Sequence, residues 1–475
     1  MSFLKALCCG SSSPSRSMGP APRRPAGQPP AEKVSDPEAA KVPTPPAGFT
    51  KQLSEHPETS ARELLQPYLE YELWLRKAFA SGGSGLDGLA NLVPLYGSSS
   101  PKAELPIRNI DRDINDKGKY LMRLPDSHVN EDGSPAIVPS FDEYRRNFEA
   151  FTHSSLKGLD WSNVVVAGSS ALLPLLPRRG DVTVPSDPAV EDPVETYYQR
   201  TAGSSDIDMF IYGLDEEAAI QKIAQLETAI RENQRLAHGV GMALRTEHAI
   251  TFVSPKWPYR HVQIILRLYK SISEILTGFD VDCACVAFDG QRVYANPRSI
   301  AAIATRTNLI DLSRRSPSYE NRLYKYRNHR FDAYWHELDR TRVDPGKCTR
   351  TKESPDVQGL ARLIFFEEVL KKSVNPYRRR RLLKTIDENG EPTHSGYATL
   401  EIPYGERFTA TRVRKFVALH SKEPCVFGTV DEVLNRGATR AKKNQGKLKG
   451  RVKFLKDDPG RQMIGSFYPL TQDDW

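Results

Sequence analysis

A chain of 475 residues with 67 basic and 59 acidic side chains, a formal charge of +8 and 39% apolar residues is too long for one small domain and has room for two or three. Mean hydropathy is −0.52, and no run approaches the roughly 20 apolar residues of a membrane-spanning helix. With no secretory-type apolar core near Met1, the sequence predicts a soluble intracellular protein, cytoplasmic or nuclear. Six scattered cysteines without a CxxC pair exclude a disulfide scaffold and argue against structural zinc.

Residues 1–48 hold 10 of the 35 prolines, a composition with too little apolar surface to offset the entropy of ordering, and are expected to be disordered. Acylation of Cys8 or Cys9 would add a weak membrane anchor, although an unmodified pair is the simpler expectation. Residues 59–140 read as a helical, turn-rich extension. Leu65, Leu69, Leu73 and Trp74 lie at helical spacing, and the helix should stop at Ser81-Gly82-Gly83.

A regular core is expected over 141–312. Tyr144, Phe148 and Phe151 share a helical face, Asn163–Ala167 reads as a buried strand, and Gly168-Ser169-Ser170 is a tight turn before a short helix. The polar segment 178–205 is read as an inserted loop without regular structure. Asp206–Tyr212 is a strand, and Asp215 caps the helix that follows. Ala249–Val253 and His261–Tyr269 form a hairpin, with His248 and His261 as its polar residues. Asp280–Phe288 is read as a strand carrying Cys283 and Cys285 in the core, then a turn at Asp289-Gly290, then a helix from Pro297. Residues 313–430 are expected to form a second, mixed or helical domain, with Arg378–Arg381 as a solvated basic face. Residues 436–475 read as a basic tail, in which 436–456 hold nine Lys/Arg and no acid, a charge suited to nucleic acid or another polyanion.

The most informative pattern is the pair of acidic doublets, Asp206-Ile-Asp208 and Asp280-Val-Asp282, each inside an apolar run. A period of two puts both members of a strand doublet on one face. Two carboxylates about 4 Å apart repel by up to roughly 4 kcal/mol at an effective dielectric of 20, and a divalent cation relieves that repulsion. A third carboxylate from a neighbouring strand would complete an all-oxygen site suited to Mg²⁺ or Mn²⁺ rather than Zn²⁺. The Gly168-Ser169 turn offers backbone N–H groups and a hydroxyl to a triphosphate.

A strand ending in Gly168-Ser169, a helix, then Asp206-Ile-Asp208 and a distant acid at Asp280 or Asp282 resembles the nucleotidyltransferase superfamily of the DNA polymerase β fold. The resemblance covers about residues 140–310, and Ser204–Tyr212 is its most specific piece. The stretches Gly278–Gly290 and Asn308–Tyr319 are also similar to uncharacterised eukaryotic proteins, some with ankyrin repeats, which this chain lacks. The resemblance implies an α+β fold: a polymerase β-like core with a mixed sheet and flanking helices, a second mixed or helical domain, and disordered tails. It further implies that Asp206, Asp208 and Asp282 or Asp280 hold Mg²⁺ or Mn²⁺, that Gly168 and Ser169 hold the NTP, and that a nucleoside monophosphate passes to an acceptor by a two-metal mechanism. Asp282 is slightly favoured over Asp280 as the third acid, because it sits deeper in the apolar run. The spacer of 37 positions between Ser169 and Asp206 is long for that family. The alternative expectation is a catalytically silent member of the fold, acting as an interaction module with a polyanion-binding tail.

Overall fold

The protein is described by a computed structural model over residues 47–82, 85–97, 105–112, 114–184, 192–203, 205–237, 241–316, 319–344, 359–371, 409–420, 425–436 and 450–455, with Ile402, Gly405 and Leu448. Residues 1–46, Cys8 and Cys9, the Arg378–Arg381 run and most of 436–456 lie outside these residues.

Helices begin where capping side chains stand. After α1 (Ala47–Glu55), the Ser60 hydroxyl accepts from the Arg62 N–H and opens α2 (Ala61–Ala80). The short strands β1 (Val93–Pro94) and β2 (Tyr120–Leu121) follow. Ser140 caps α3 (Phe141–Thr152), which leads into β3 (Val164–Ala167), α4 (Ser169–Leu175) and α5 (Pro193–Thr201). Strand β4 (Ile207–Tyr212) precedes α6 (Glu216–Asn233), whose first free N–H groups are met by Asp215 as its sequence suggests. Then come β5 (Met242–Arg245), β6 (Ala249–Val253), β7 (Val262–Tyr269), α7 (Ile272–Thr277), β8 (Val286–Phe288) and β9 (Val293–Ala295). The chain continues through α8 (Pro297–Thr305), β10 (Thr307–Leu309), α9 (Tyr319–Asn328) and β11 (Asp332–Tyr334). The helices Ala361–Lys371 and Ala410–His420 and strand β12 (Val426–Gly428) complete the described elements.

Among the described residues, nine strands make one mixed sheet in the order β1-β9-β8-β3-β4-β7-β6-β5-β12, and β10-β11-β2 make a smaller one. In the large sheet, β4 and β7 run parallel and the other neighbours antiparallel. Its central strands are apolar runs, with Val164, Val165, Val166, Ile207, Met209 and Ile264 fully buried, as a sheet covered on both faces requires. The architecture is therefore α+β, a large mixed sheet with flanking helices. The Asp289-Gly290 turn also forms, with Gly290 at φ +90° against the Trp161 indole, where a Cβ would collide with the ring. Gly290→Ala is expected to cost about 1–3 kcal/mol, read from urea unfolding midpoints.

Four expectations are corrected. Within 178–205, α5 is a regular helix capped by Asp192, with Tyr197 and Tyr198 buried. The stretch 280–285 is not strand: Asp282–Ala284 form a 3₁₀ turn and pairing begins only at Val286, because the Asp280 and Asp282 side chains are taken up by arginines. Cys283 and Cys285 are nonetheless core residues. No second domain separates at 313: the described residues belong to one compact unit. Strand β11 pairs with β10 and β2, Glu367 accepts from the Met122 N–H at 3.0 Å, and β12 extends the main sheet beside β5. Finally, the described end of the basic segment is packed. The Leu455 N–H donates to Leu266 C=O at 2.7 Å, Val452 and Phe454 are buried, and Arg245 donates to Gly450 C=O at 3.0 Å. Truncation at residue 449 is therefore expected to destabilise the fold by about 3–5 kcal/mol through the two lost apolar side chains, seen as a lower thermal midpoint.

Candidate functional site

Strand β3 ends on Gly168, at φ +79° and ψ −142°, a conformation open to glycine and closed to residues with a Cβ. The Phe279 ring lies 3.4 Å from where such an atom would stand. The turn delivers Ser169, itself buried, to the end of the sheet. Antiparallel pairing of Val164 with Ile211, Val165 with Phe210 and Val166 with Met209 carries the Gly168-Ser169 turn to the start of β4, where Asp206 and Asp208 stand half-buried. The long spacer is thus closed by strand pairing. Its last turn is fixed by Arg260, fully buried, which donates to Phe151 C=O at 2.6 Å, Ala202 C=O at 2.6 Å and Ser205 C=O at 2.8 Å.

Two cations that the sequence assigned to another domain face this place. Helix α9 buries Tyr319, Leu323 and Tyr326, and the three-residue spacing of Arg322 and Lys325 puts both on one side of it. The Lys325 Nζ donates to the Ser169 hydroxyl at 3.2 Å. Arg322 donates to the Asp280 carboxylate and to the Ser316 hydroxyl, which itself donates to Asp280 at 2.7 Å. Burial and the neighbouring Asp206 push the Asp208 carboxyl well above its ordinary range, while Lys325 and Arg322 pull the other way. Ser169, Asp206, Asp208, Asp280, Arg322 and Lys325 therefore form one electrostatic cluster.

Asp282 is used elsewhere. It accepts from Arg298 Nη1 at 2.9 Å and from the Leu309 N–H at 2.8 Å. Arg298 also holds Glu72 at 2.9 Å, and Arg314 reaches Glu72 at 3.1 Å. Burial raises the Asp282 carboxyl despite Arg298, whereas burial of Glu72 is outweighed by Arg298 and Arg314, which hold its carboxyl below the usual range. This network ties α2, α8 and the 3₁₀ turn together. Of the two acids left open by the sequence, Asp280 is the one linked to Asp208, through Arg322.

The strands beside β4 offer no third carboxylate at this level. In register with Asp208, β7 presents Gln263, whose amide donates to the Thr251 hydroxyl at 3.4 Å on β6. Among the described residues no three His, Cys, Asp or Glu side chains gather into a group that could hold a metal ion. Two carboxylates on one strand face, with phosphate oxygens as further ligands, nevertheless match the way Mg²⁺ is ordinarily held. The Asp208 carboxyl is raised first by burial and then by Asp206, and a bound cation would oppose both by favouring the charged form. His248 lies in the β5–β6 turn and its C=O accepts from the Leu266 N–H, while His261 stands just before β7 in the β6–β7 connection, where its Nδ1 accepts from the Ser254 N–H at 2.8 Å.

The shift at Asp208 has a sign that can be measured. With its native pKa above the unfolded value of about 3.9, the native state keeps a proton that the unfolded chain has lost. This contribution to stability is present below that value and is lost as pH rises through the raised one. Metal-free wild type should therefore lose stability relative to D208N as pH rises above about 4, the unfolded carboxyl value. Parallel thermal scans of the two proteins across that range would show a constant difference if Asp208 does not titrate this way.

A model of the Gabija anti-defense 2 family protein matches residues 142–306, from the start of α3 to just past α8. That is about a third of the chain, and it includes Gly168, Ser169 and both acidic doublets. An uncharacterized protein of Acanthamoeba polyphaga mimivirus is 27% identical over 226 residues, covering 45% of this chain and 45% of its own length. The chain thus aligns with less than half of that relative. No solved structure matches, and within the described residues no helix is long and apolar enough to cross a membrane.

Proposed function

We propose that this protein is a metal-dependent nucleotidyltransferase that moves a nucleoside monophosphate from an NTP to an acceptor hydroxyl and releases pyrophosphate. The observation that carries the reading is the convergence of the Gly168-Ser169 turn and the Asp206/Asp208 pair under the Arg322 and Lys325 side chains. Asp206 and Asp208 would hold Mg²⁺ or Mn²⁺, which when bound lowers the pKa of the attacking hydroxyl and offsets phosphate charge in the two-metal scheme that the resemblance implies. Ser169 and the Gly168 turn orient the triphosphate. Lys325, already on the Ser169 hydroxyl, supplies positive charge to the same phosphates. Arg322 neutralises Asp280 in the metal-free protein and is positioned by it and by Ser316.

Calorimetry with each NTP, in the presence and absence of Mn²⁺, is the direct test, followed by release of pyrophosphate from labelled NTP with a cell extract as acceptor pool. Binding only with metal, and label transfer lost in D208N, is the expected result. An intact protein that binds no NTP under any metal condition overturns the reading. Lys325→Ala should weaken NTP binding by about tenfold, as loss of one charge-assisted phosphate contact does, whereas Ser169→Ala should cost less because backbone N–H groups remain.

A second reading is favoured by a separate observation. The described residues lack a three-acid group, and Asp280 is already ion-paired with Arg322. Together with the match to a family named for anti-defense, this suits a silent member that works as an interaction module in countering a defence system. Nucleic acid or another polyanion would bind its 436–456 segment. Because residues 450–455 are packed, the polyanion contribution is best tested by neutralising the lysines and arginines of 436–449 rather than by deletion. Salt-dependent binding to a labelled DNA or RNA duplex should weaken on neutralisation. Unchanged binding would leave that segment without this role.

A further inference from the structure

Asp208 does not stand alone on its side of the sheet. Neighbours paired in register show their side chains on the same face, with strands about 4.8 Å apart. Asp208 pairs with Gln263 across the parallel β4–β7 ladder, and Gln263 pairs with Thr251 across the antiparallel β7–β6 ladder. The result is a row of three polar side chains crossing three central strands. The rows before and after it along the strands, Ile207, Val262 and Phe252 and then Met209, Ile264 and Ile250, point to the opposite face and are apolar and buried there.

The far end of the same face is closed by Val413 and Val417, packed on Leu244 and Val253. At the near end Lys325 of α9 reaches Ser169. The polar row lies between these two covers, with Asp208 and Gln263 both partly exposed and Thr251 buried. A glutamine in a central strand of an apolar sheet needs partners for its amide. The NH₂ of Gln263 has one in the Thr251 hydroxyl at 3.4 Å. The oxygen and nitrogen of an amide leave the same carbon in different directions, so an NH₂ directed to β6 leaves the Gln263 oxygen for a partner other than Thr251.

We propose that the Gln263 side-chain oxygen is the third protein ligand of the divalent-cation site formed by Asp206 and Asp208, in the place where a carboxylate would otherwise stand. Thr251 is its positioning residue. This rests on the cation-binding reading above and gives it a specific form. Two carboxylates and a neutral amide carry a charge of about −2, which one divalent ion balances, whereas a third carboxylate would bind the bare ion more tightly. The site is thereby set to take up the ion with the negative charge of a nucleotide triphosphate rather than to hold it permanently. Asp280, engaged by Arg322 and Ser316, is left to orient Arg322.

The test is Mn²⁺ titration of the full chain, followed by the paramagnetic resonance signal of free Mn²⁺, with and without a non-hydrolysable ATP analogue. Q263E should bind Mn²⁺ alone about tenfold or more tightly than wild type, and Q263L about threefold to tenfold more weakly, the scale of gaining a charged oxygen ligand or losing a neutral one. T251V should weaken binding less than Q263L does, by freeing the amide to rotate. Circular dichroism checks that each variant is folded. If Q263L misfolds, Q263M, which keeps length and flexibility, replaces it. Should D208N lose Mn²⁺ while Q263E and Q263L both stay within about twofold of wild type, the cation reading stands and the role of Gln263 is overturned. The proposal also falls if D280N loses Mn²⁺ as severely as D208N while Q263L does not, since Asp280 is then the third donor. If neither wild type nor Q263E binds Mn²⁺ with the analogue present, the cation reading and the proposal fail together.

Discussion

Asp208→Asn is expected to abolish metal-dependent NTP binding and transfer, with a loss of at least about a hundredfold, while the metal-free protein melts at or above the wild-type temperature. The two effects have one cause. The Asp208 carboxyl is driven upward by burial and by Asp206, so removing its charge relieves the apo protein and removes a ligand from the loaded one. Asp206→Asn should behave alike in binding. The measurements are NTP calorimetry with Mn²⁺ and a thermal scan without metal at about pH 8, above the ordinary carboxyl range. A variant that binds NTP as wild type does would place the nucleotide elsewhere, and one that melts several degrees lower would mean that the pair is structural.

The largest effect on stability is expected at Glu72. Its side chain is 1% exposed and faces Arg298, also 1% exposed, and Arg314 at 5%. Glu72→Ala takes from both buried guanidiniums the carboxylate they share and leaves Arg298 only Asp282 and Arg314 only Asp311, and the expected cost is about 3–5 kcal/mol. Burial and Arg314 already lower Arg76 to about 9 in the same cluster, so further loss of negative charge falls on a group near its limit. Glu72→Gln, which keeps an amide oxygen for the Arg298 and Arg314 donors, should cost less than Glu72→Ala. Urea unfolding of the three proteins tests this. A Glu72→Ala cost below about 1 kcal/mol would show that water or a neighbouring acid compensates the arginines.

These two predictions separate two acids that look equivalent in the chain. Asp280 and Asp282 have the same spacing and the same apolar setting, and depth in the apolar run slightly favoured Asp282. In the fold, Asp282 is held by Arg298 and Asp280 by Arg322. Those arginines lie 16 and 42 positions along the chain from their acids, and nothing local to either acid announces them.

Short-range physics made most of the secondary structure legible. The cap at Asp215, the strand Ile207–Tyr212, the β6–β7 hairpin, the turn at Asp289-Gly290 and the helix opened by Pro297 all follow from side chains within a few residues of the backbone they serve. The doublet Asp206-Ile-Asp208 could be read because strand period alone puts its members on one face. What tertiary structure decided was where long-range partners lie. Helix α5 holds within a polar, proline-bearing stretch because Tyr197 and Tyr198 find a core to enter. The part read as a separate domain instead covers the acidic face of the sheet, bringing Lys325 to Ser169 from 156 positions away. Gln263 gave no signal of its own as one amide in an apolar strand, and only the parallel register of β4 and β7 sets it beside Asp208. Strand register and ion pairing between distant segments depend on which surfaces the whole chain buries together, and that information is spread over the sequence rather than held in any window of it.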